Sequence, residues 1–260
     1  MSPPRKTPRP LTARSVLASV LLGTDPPWLP TPVLVRTTAL FGISEGSTRT
    51  ALSRLVATGD AVAERGGYRL VGRLVARQQR QSASRRAETR AWDGTWELVV
   101  VTNDAPRPAA DRATLRDALR ALRFAELREG VWARPDNLDP SRSAEAAAVV
   151  RRWCDRWGGA RPEGPPPVED LFGLGVWARG ASSLRADMGR LLGPLERRDT
   201  EALAAGFVTS AAVLRHLQAD PLLPDALLPR GWPGAALRAE YDRYDAAYRA
   251  TLADWFRAET

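Results

Sequence analysis

The chain has 260 residues, 44% of them hydrophobic, and a formal net charge of +8 at pH 7. That length is enough for two or three small domains with buried cores. The single cysteine, Cys154, excludes an internal disulfide, and no apolar run approaches the length of a membrane span, so we expect a cytoplasmic protein.

The positive charge is concentrated at one end of the chain. Residues 1–90 contain 15 Lys or Arg against 5 Asp or Glu, whereas residues 91–260 contain 23 against 25. Coding bias explains why only one of the 38 basic residues is Lys, but it does not explain this asymmetry. Because Lys and Arg near phosphates release condensed counterions, the asymmetry indicates that the N-terminal part binds a polyanion.

The first predicted elements are two helices that follow a basic, proline-rich arm of residues 1–11. The helices cover Thr12–Leu22 and Val33–Leu40, with a stiff proline-containing loop between them. Phe41-Gly42 then predicts a tight turn into a third helix.

The third helix is predicted over Ser44–Thr58. Ser44 is a good N-cap because its hydroxyl accepts a free amide at the helix start. Gly59 suits the left-handed position that ends many helices. The apolar residues recur at helical spacing and are expected to face a core; they are Ala51, Leu52, Leu55 and Val56.

Two short apolar-polar runs follow this helix, and Arg65-Gly66-Gly67 separates them. Paired glycines suit a hairpin tip because they adopt positive φ without steric cost. Helix, turn, helix and hairpin in this order predict a winged helix-turn-helix domain over residues 12–71. A polar, Arg-rich linker helix is expected over residues 72–91.

The third helix is the predicted reading element for duplex DNA. Side chains in the N-terminal half of such helices usually reach base edges, and Arg49 is the best candidate for a bidentate guanine contact. Arg54 is equally suited to phosphate or to bracing the fold. The alternative is an ordinary helix-and-hairpin unit with a solvated basic face. The candidate DNA-binding residues are Arg36, Thr37, Ser44, Ser47, Thr48, Arg49, Ser53, Arg54, Arg65 and Arg69.

A second domain is predicted over residues 92–165. Strand, helix, strand and helix alternate within it, which favours an α/β sandwich of the ferredoxin-like type. The predicted elements are Glu97–Thr102, Arg107–Leu122, residues 130–134 and Ala144–Trp157, with a further strand at Leu174–Trp177.

The third predicted domain, residues 166–260, is mostly helical. Its helices are expected over Ser182–Arg197, Glu201–Leu217 and Ala235–Ala258. The last helix has a wide apolar face, which fits core or dimer packing better than a small-molecule pocket. The whole chain is therefore interpreted as an α+β multidomain protein.

The sequence contains little that would indicate a catalytic site or a metal site. The chain has one His and one Cys, with no cluster at metal-ligand spacing. Cys154 is expected to be a small buried residue in a helix, and His216 a structural residue or an effector contact. Asp93, Asp104 and Asp136 lack a paired nucleophile and base. We therefore expect no enzyme activity, no metal and no cofactor.

Several strings occur in one order along nearly the whole chain, and they match a known family. They are residues 11–15 (LTARS), 41–44 (FGIS), 49–55 (RTALSRL), 92–94 (WDG) with Trp96, 130–132 (GVW) with 134–135 (RP) and 137–138 (NL), 220–224 (DPLLP), 227–229 (LLP) and 231–234 (GWPG). On these residues the chain resembles the PaaX-type repressors of phenylacetate catabolism.

The resemblance implies a winged helix, a ferredoxin-like middle domain and a helical C-terminal domain. It further implies a homodimer on a palindromic operator and an acyl-CoA effector, phenylacetyl-CoA in the best-known members, that releases the DNA.

Some 170 residues beyond the predicted DNA-binding domain independently suggest an effector site, because DNA binding alone does not need them. We expect it between the middle and C-terminal domains, where arginines pair with a phosphate or carboxylate. The candidate residues are Trp132, Arg134, Trp177, Arg179 and His216. The alternatives are a transcriptional activator or dual regulator of the same fold, an acyl-CoA-acting enzyme domain tethered to DNA, and a nucleic-acid-associated scaffold.

Overall fold

The computed structural model describes residues 12–24, 26–72, 85–102, 108–139 and 143–258. The predicted arm, most of the predicted linker helix and Asp104 lie outside these ranges. The described residues form nine α helices and two antiparallel sheets. The chain divides into two compact units, the first of Met1–Ser82, Asp187–Ala212 and Tyr241–Thr260, the second of Ala83–Ala186 and Val213–Glu240.

The N-terminal part of the first unit combines three helices with a small sheet. Its strands are ordered β1-β3-β2. Apolar residues from all three helices and from β2 and β3 share one core, which includes Leu17, Leu34, Leu52 and Leu70. The elements are α1 (Ala13–Leu22), β1 (Trp28–Pro30), α2 (Thr31–Ala39), α3 (Glu45–Ala57), β2 (Ala61–Glu64) and β3 (Gly67–Leu70).

The three predicted helices and the hairpin are confirmed, and the strand β1 was missed. Thr12 and Ser44 cap α1 and α3, and Gly59 has the expected positive φ of 67°. Strand β1 lies in the loop predicted from its prolines, where it pairs with β3 through Trp28 and Arg69. So short a strand depends on its partner rather than on its own propensity.

The hairpin tip differs in detail from the prediction. Positive φ occurs at Arg65 (52°) and Gly66 (73°), whereas Gly67 already belongs to β3. Gly67 is required for a different reason. A Cβ at this position would lie 2.3 Å from the Leu29 carbonyl oxygen of β1, so only glycine lets the two strands approach.

Replacing Gly67 with Ala is therefore expected to destabilise the protein by about 1–3 kcal/mol, the usual cost of an overpacked contact. Chemical denaturation of Gly67→Ala and Gly46→Ala provides the test. A Cβ at the helical Gly46 meets nothing within 4 Å, so that variant should be at least as stable as the parent. Equal stability of the two variants would contradict the close-approach explanation.

Three long helices contribute residues to both units. They are α7 (Leu174–Glu196), α8 (Ala202–Gln218) and α9 (Gly234–Ala258). In the first unit, Phe207 of α8 packs edge-on against Phe41, with ring centroids 4.8 Å apart. Arg249 of α9 donates a 2.8 Å hydrogen bond to the Gly23 carbonyl. The C-terminal segments thus contact both the end of α1 and the turn before α3.

The second unit contains a four-stranded sheet with the order β5-β6-β4-β7, in which all neighbours are antiparallel. Its helices α4 and α5 share a core with Val99, Phe124 and Trp132. The elements are β4 (Trp96–Val101), α4 (Ala109–Ala121), β5 (Ala125–Arg128), β6 (Val131–Pro135), α5 (Ala144–Trp153), β7 (Cys154–Ala160) and α6 (Val168–Phe172), with a 3₁₀ turn at Asp225–Leu227.

Two sequence predictions in this unit are wrong. The helix predicted to end at Trp157 ends at Trp153, and residues 154–160 form β7, whose Trp157 and Cys154 pair with β4. The segment Leu174–Trp177 begins helix α7 instead of forming a strand. Periodicity alone cannot separate a strand from a helix in such short runs.

Candidate DNA-binding surface

Helix α3 begins at a capped turn. Gly42 has a φ of 68°, which bends the chain after α2. The Ser44 hydroxyl accepts a 3.3 Å hydrogen bond from the Ser47 amide and donates one to the Ser47 hydroxyl at 3.0 Å. The helix therefore starts with its free amides partly satisfied and with Ser44 and Ser47 exposed.

One side of α3 is buried and the other is exposed. The buried side consists of Thr48, Ala51, Leu52 and Leu55. The exposed polar residues carry hydroxyl, carboxylate and guanidinium groups that can meet a hydrogen-bonding ligand; they are Glu45, Ser47, Arg49, Thr50, Ser53 and Arg54. Val56, which was predicted to face the core, is also exposed, at 39%. The sequence predictions for Ser47, Arg49, Ser53 and Arg54 are consistent with this exposed side.

Two predicted DNA-contacting residues, Thr37 and Thr48, are buried and do not lie on an exposed side of their helices. Their exposed fractions are 2% and 0%. The Thr48 hydroxyl lies 2.6 Å from that of Thr38 and donates to the Ser44 carbonyl, while the Thr37 hydroxyl donates to the Val33 carbonyl. These hydroxyls join α2 to α3 or stay within α2, so neither residue can reach a base in this conformation.

Arg49 is paired within its own helix. Its Nε and Nη2 donate to Glu45 Oε1 at 2.8 and 2.6 Å. Both side chains remain more than half exposed, at 62% and 57%. Because an exposed i,i+4 pair contributes only a few tenths of a kcal/mol, a base or phosphate can replace Glu45 at little cost.

The hairpin supplies two further arginines. Arg65 is exposed at the tip, whereas Arg69 is half-buried and donates to Glu64 at 2.7 Å. This hydrogen bond lowers the pKa of Glu64 and raises the pKa of Arg69. Arg36 of α2 is also half-buried. Among the candidate arginines on α2, α3 and the hairpin, Arg65 at the tip and Arg54 on α3 are therefore exposed and form no ion pair with any residue that the structure describes.

The predicted effector residues all fall in the second unit, and all of them except Arg179 belong to one of two groups. Trp132 and Arg134 lie in β6 and are 5% and 2% exposed. Arg134 Nε donates to Glu97 at 2.6 Å and Nη1 donates to the Leu122 carbonyl at 2.9 Å. Arg156 pairs with the other carboxylate oxygen of Glu97.

Trp177, His216 and Trp232 form the second group, an aromatic stack. The Trp177 ring lies 4.5 Å from His216 and 4.6 Å from Trp232. His216 Nε2 lies 2.9 Å from the Trp177 carbonyl, and Trp177 Nε1 donates to the His216 carbonyl at 3.1 Å. Because a carbonyl only accepts, Nε2 carries the hydrogen.

The stack leaves little of Trp177 accessible. Trp177 is 6% exposed, and a Cβ on Gly180 would lie 2.6 Å from the His216 ring. Trp132 and Trp177 are therefore packing residues in this conformation. Of the five predicted effector residues, Arg179 is exposed and His216 is half-buried.

The stack predicts a pH dependence of stability. Burial lowers the pKa of His216, although the Trp177 hydrogen bond and Asp220 oppose the shift. The unfolded chain then binds the proton more tightly, so His216 contributes stability above its unfolded pKa, and this stability is lost as the pH falls. The free energy of unfolding should decrease as the pH falls below about 7, through the unfolded pKa of about 6.5.

The change His216→Phe retains an aromatic ring but cannot titrate. Chemical denaturation of both proteins over this pH range should give a shallower slope for the variant. Identical slopes would show that His216 does not carry the pH dependence.

Three family models match the chain in order. They are a PaaX-like protein model over residues 12–74, a PaaX protein central Cas2-like domain over residues 89–152 and a PaaX-like protein C-terminal domain over residues 181–258. The chain belongs to the PaaX family. Members of this family are generally transcriptional regulators, and that class therefore applies here.

A solved structure is also similar to this PaaX-family chain. It is the uncharacterized protein Rv0674 from Mycobacterium tuberculosis, whose sequence is 41% identical to this one. The match has a TM-score of 0.72 and covers 94% of this chain and 98% of the Rv0674 chain. No curated protein matches. No helix within the described ranges is long and apolar enough to cross a membrane.

Three residues that belong to the candidate sites in this PaaX-family structure were not predicted from the sequence. Glu45 and Thr50 share the exposed side of α3 with Arg49, and Trp232 completes the aromatic stack. Glu45 could have been found from its i,i+4 spacing to Arg49. Trp232 lies in the GWPG string, but only the fold brings it to Trp177.

Proposed function

We propose that this PaaX-family chain is a sequence-specific DNA-binding repressor that acts as a homodimer on a palindromic operator in the cytoplasm. Its N-terminal part, residues 12–71, is a winged helix-turn-helix domain with α3 as the reading helix. The observation that carries this proposal is the side of α3 that exposes Ser47, Arg49, Ser53 and Arg54 while the opposite side is buried.

The positions of Arg49, Ser44, Ser47 and Arg54 support a role for each of them. Arg49 lies in the second turn of α3, within the half that reads bases in such domains, and contacts a guanine after leaving Glu45. Ser44 and Ser47 bind phosphate or a base edge at the helix start. Arg54 binds phosphate from further along the helix.

The hairpin is the wing of this proposed domain. Arg65 at its tip contacts the DNA backbone or minor groove, and Arg69 supports it from β3. Arg36 of α2 holds a phosphate beside α3. Thr37 and Thr48 are left out of the contact set, because their hydroxyls bond within the helical unit.

The order of elements along the chain supports a ferredoxin-like middle domain. The elements β4, α4, β5, β6, α5 and β7 follow one another in the β-α-β-β-α-β sequence of that fold and form a single sheet. Its boundaries are proposed as residues 92–165, with the mostly helical C-terminal domain over residues 166–260. Residues 72–91 are proposed as the linker helix between the N-terminal domain and the middle domain.

A small-molecule effector, acyl-CoA-like by family resemblance, is proposed to release the DNA. Arg179 and His216 are its accessible candidate contacts. The packing of Phe207 on Phe41 gives α8 a direct contact with the turn that precedes α3. A shift of α8 would therefore disturb the reading helix.

Selection of bound fragments from a random duplex library by the purified full chain tests the DNA-binding proposal. We expect an inverted repeat whose half-sites are spaced by about one helical turn or a multiple of it. Absence of sequence enrichment, or equal gel shifts with RNA, would contradict the proposal.

A reporter assay with the selected operator tests repression separately. Lower expression with the protein present, relieved by an effector, supports a repressor, whereas higher expression indicates an activator. Failure of a panel of acids and CoA thioesters to relieve repression would contradict the effector proposal. Turnover of a thioester would instead indicate an enzyme.

A further inference from the structure

A cleft in the second unit lies between the sheet and helix α5. Its volume is about 90 Å³, and its residues come from the end of α4, from β6, from α5 and from β7. The lining consists of Leu122, Phe124, Arg134, Ala147, Val150, Arg151, Cys154 and Arg156. Four of these side chains are apolar, three are guanidinium groups and none is acidic.

The charge in the cleft is only partly compensated. Arg134 and Arg156 share one carboxylate, that of Glu97, which binds one arginine through each oxygen. Arg151 is exposed and forms no ion pair with any other residue that the structure describes. A second carboxylate, that of Asp136, also acts on Arg134, but it pairs with Arg90. The three guanidinium groups therefore outnumber the carboxylates available to them, which leaves a local excess of positive charge beside the apolar wall.

The excess of positive charge in the cleft acts on the buried Arg134. The guanidinium of Arg134 lies over the Phe124 ring, 4.9 Å from its centroid, and is 2% exposed. Burial lowers the pKa of Arg134, and the neighbouring Arg156 lowers it further, although Glu97 and, to a smaller extent, Asp136 oppose both effects. An anion in the cleft would relieve this repulsion.

We propose that the cleft binds a small organic carboxylate with an apolar body. Arg151 and Arg156 face its carboxylate with charge-assisted hydrogen bonds, and the ring of Phe124 with Val150 packs against the apolar part. One water needs about 10–15 Å³ of accessible space, so the cleft holds on the order of six waters or a compact ring.

Cys154 supplies a local reporter for this site. It lines the cleft and is the only cysteine in the chain, so a thiol reagent labels no other position. The rate at which the full chain reacts with a disulfide reagent should fall as benzoate or cyclohexanecarboxylate saturates the cleft. The measurement needs no DNA, so its outcome is separate from that of the proposed repressor function.

Three comparisons define the chemistry. Benzamide retains the ring but lacks the charge, and inorganic phosphate retains charge but lacks the apolar body, so neither should protect Cys154. Arg151→Gln should weaken benzoate binding by roughly 10-fold to 100-fold. Arg152→Gln makes the same charge change beside it, but its guanidinium lies over Trp153, 4.7 Å from the ring, so binding should be retained.

Failure of both carboxylates to protect Cys154 at millimolar concentration would overturn the proposal. Equal protection by phosphate would overturn the apolar part of it. Equal weakening by Arg151→Gln and Arg152→Gln would show a general electrostatic effect rather than a site. Unchanged far-UV circular dichroism of the two variants ensures that unfolding does not explain a loss.

Discussion

Arg49→Ala is expected to reduce the preference for the operator over mismatched duplex by roughly 5-fold to 150-fold, because a bidentate arginine–guanine contact contributes about 1–3 kcal/mol of discrimination. The variant should fold normally, since the Arg49 side chain is 62% exposed and its contacts with Glu45 are replaceable. Competition binding with operators mutated at each position measures the effect. Preference should flatten at one position per half-site.

Arg54→Ala is the matched control for this prediction. It makes the same charge change on the same exposed side of α3. As a phosphate contact, Arg54 should affect all sequences alike, and its loss should lower the salt slope by about one. If Arg49→Ala retains the full sequence preference and changes only the salt slope, its base-reading role is wrong.

The largest expected effect on stability is that of Glu97→Gln. Glu97 is 7% exposed and holds both Arg134 and Arg156. Its neutralisation leaves the buried Arg134 without its hydrogen-bonded carboxylate, and breaking a buried pair in this way typically costs about 3–5 kcal/mol. Urea denaturation of the full chain should show the loss in the transition of the second unit.

Asp93→Asn provides a comparison with an exposed pair. Asp93 and Arg161 are both more than half exposed, so removing that charge should leave the denaturation midpoint almost unchanged. The double change of Glu97→Gln with Arg134→Met should recover part of the lost stability, because no buried charge then remains unpaired. A small effect of Glu97→Gln alone would contradict the proposed importance of the buried pair.

Helix α3 was predictable because its signals are local. Ser44, Gly59 and the apolar residues of α3 act within one helix, and capping and periodicity can be recognised without the fold. The same periodicity placed Thr48 three residues before Ala51 and four before Leu52. Its burial against Thr38 could therefore have been inferred from the sequence, and the DNA contact predicted for it was an error of interpretation.

The elements that sequence reasoning missed depend on distant partners. Strand β7 continues directly from α5 without a turn signal, and its pairing with β4 decides its conformation. Glu97 and Arg134 are 37 residues apart, so only the β4–β6 register brings them together. The stack of Trp177, His216 and Trp232 likewise joins three separate helices or loops.

One binding measurement tests sequence-specific DNA binding most directly. It compares the affinity of the full chain for a selected operator with its affinity for a scrambled duplex of equal composition, over a range of salt concentrations. We predict that the operator binds at least about 1,000-fold more tightly at physiological salt. Both affinities should fall with increasing salt, as expected for phosphate contacts from α3 and the hairpin. Equal affinity for the two duplexes would contradict sequence-specific binding by this protein.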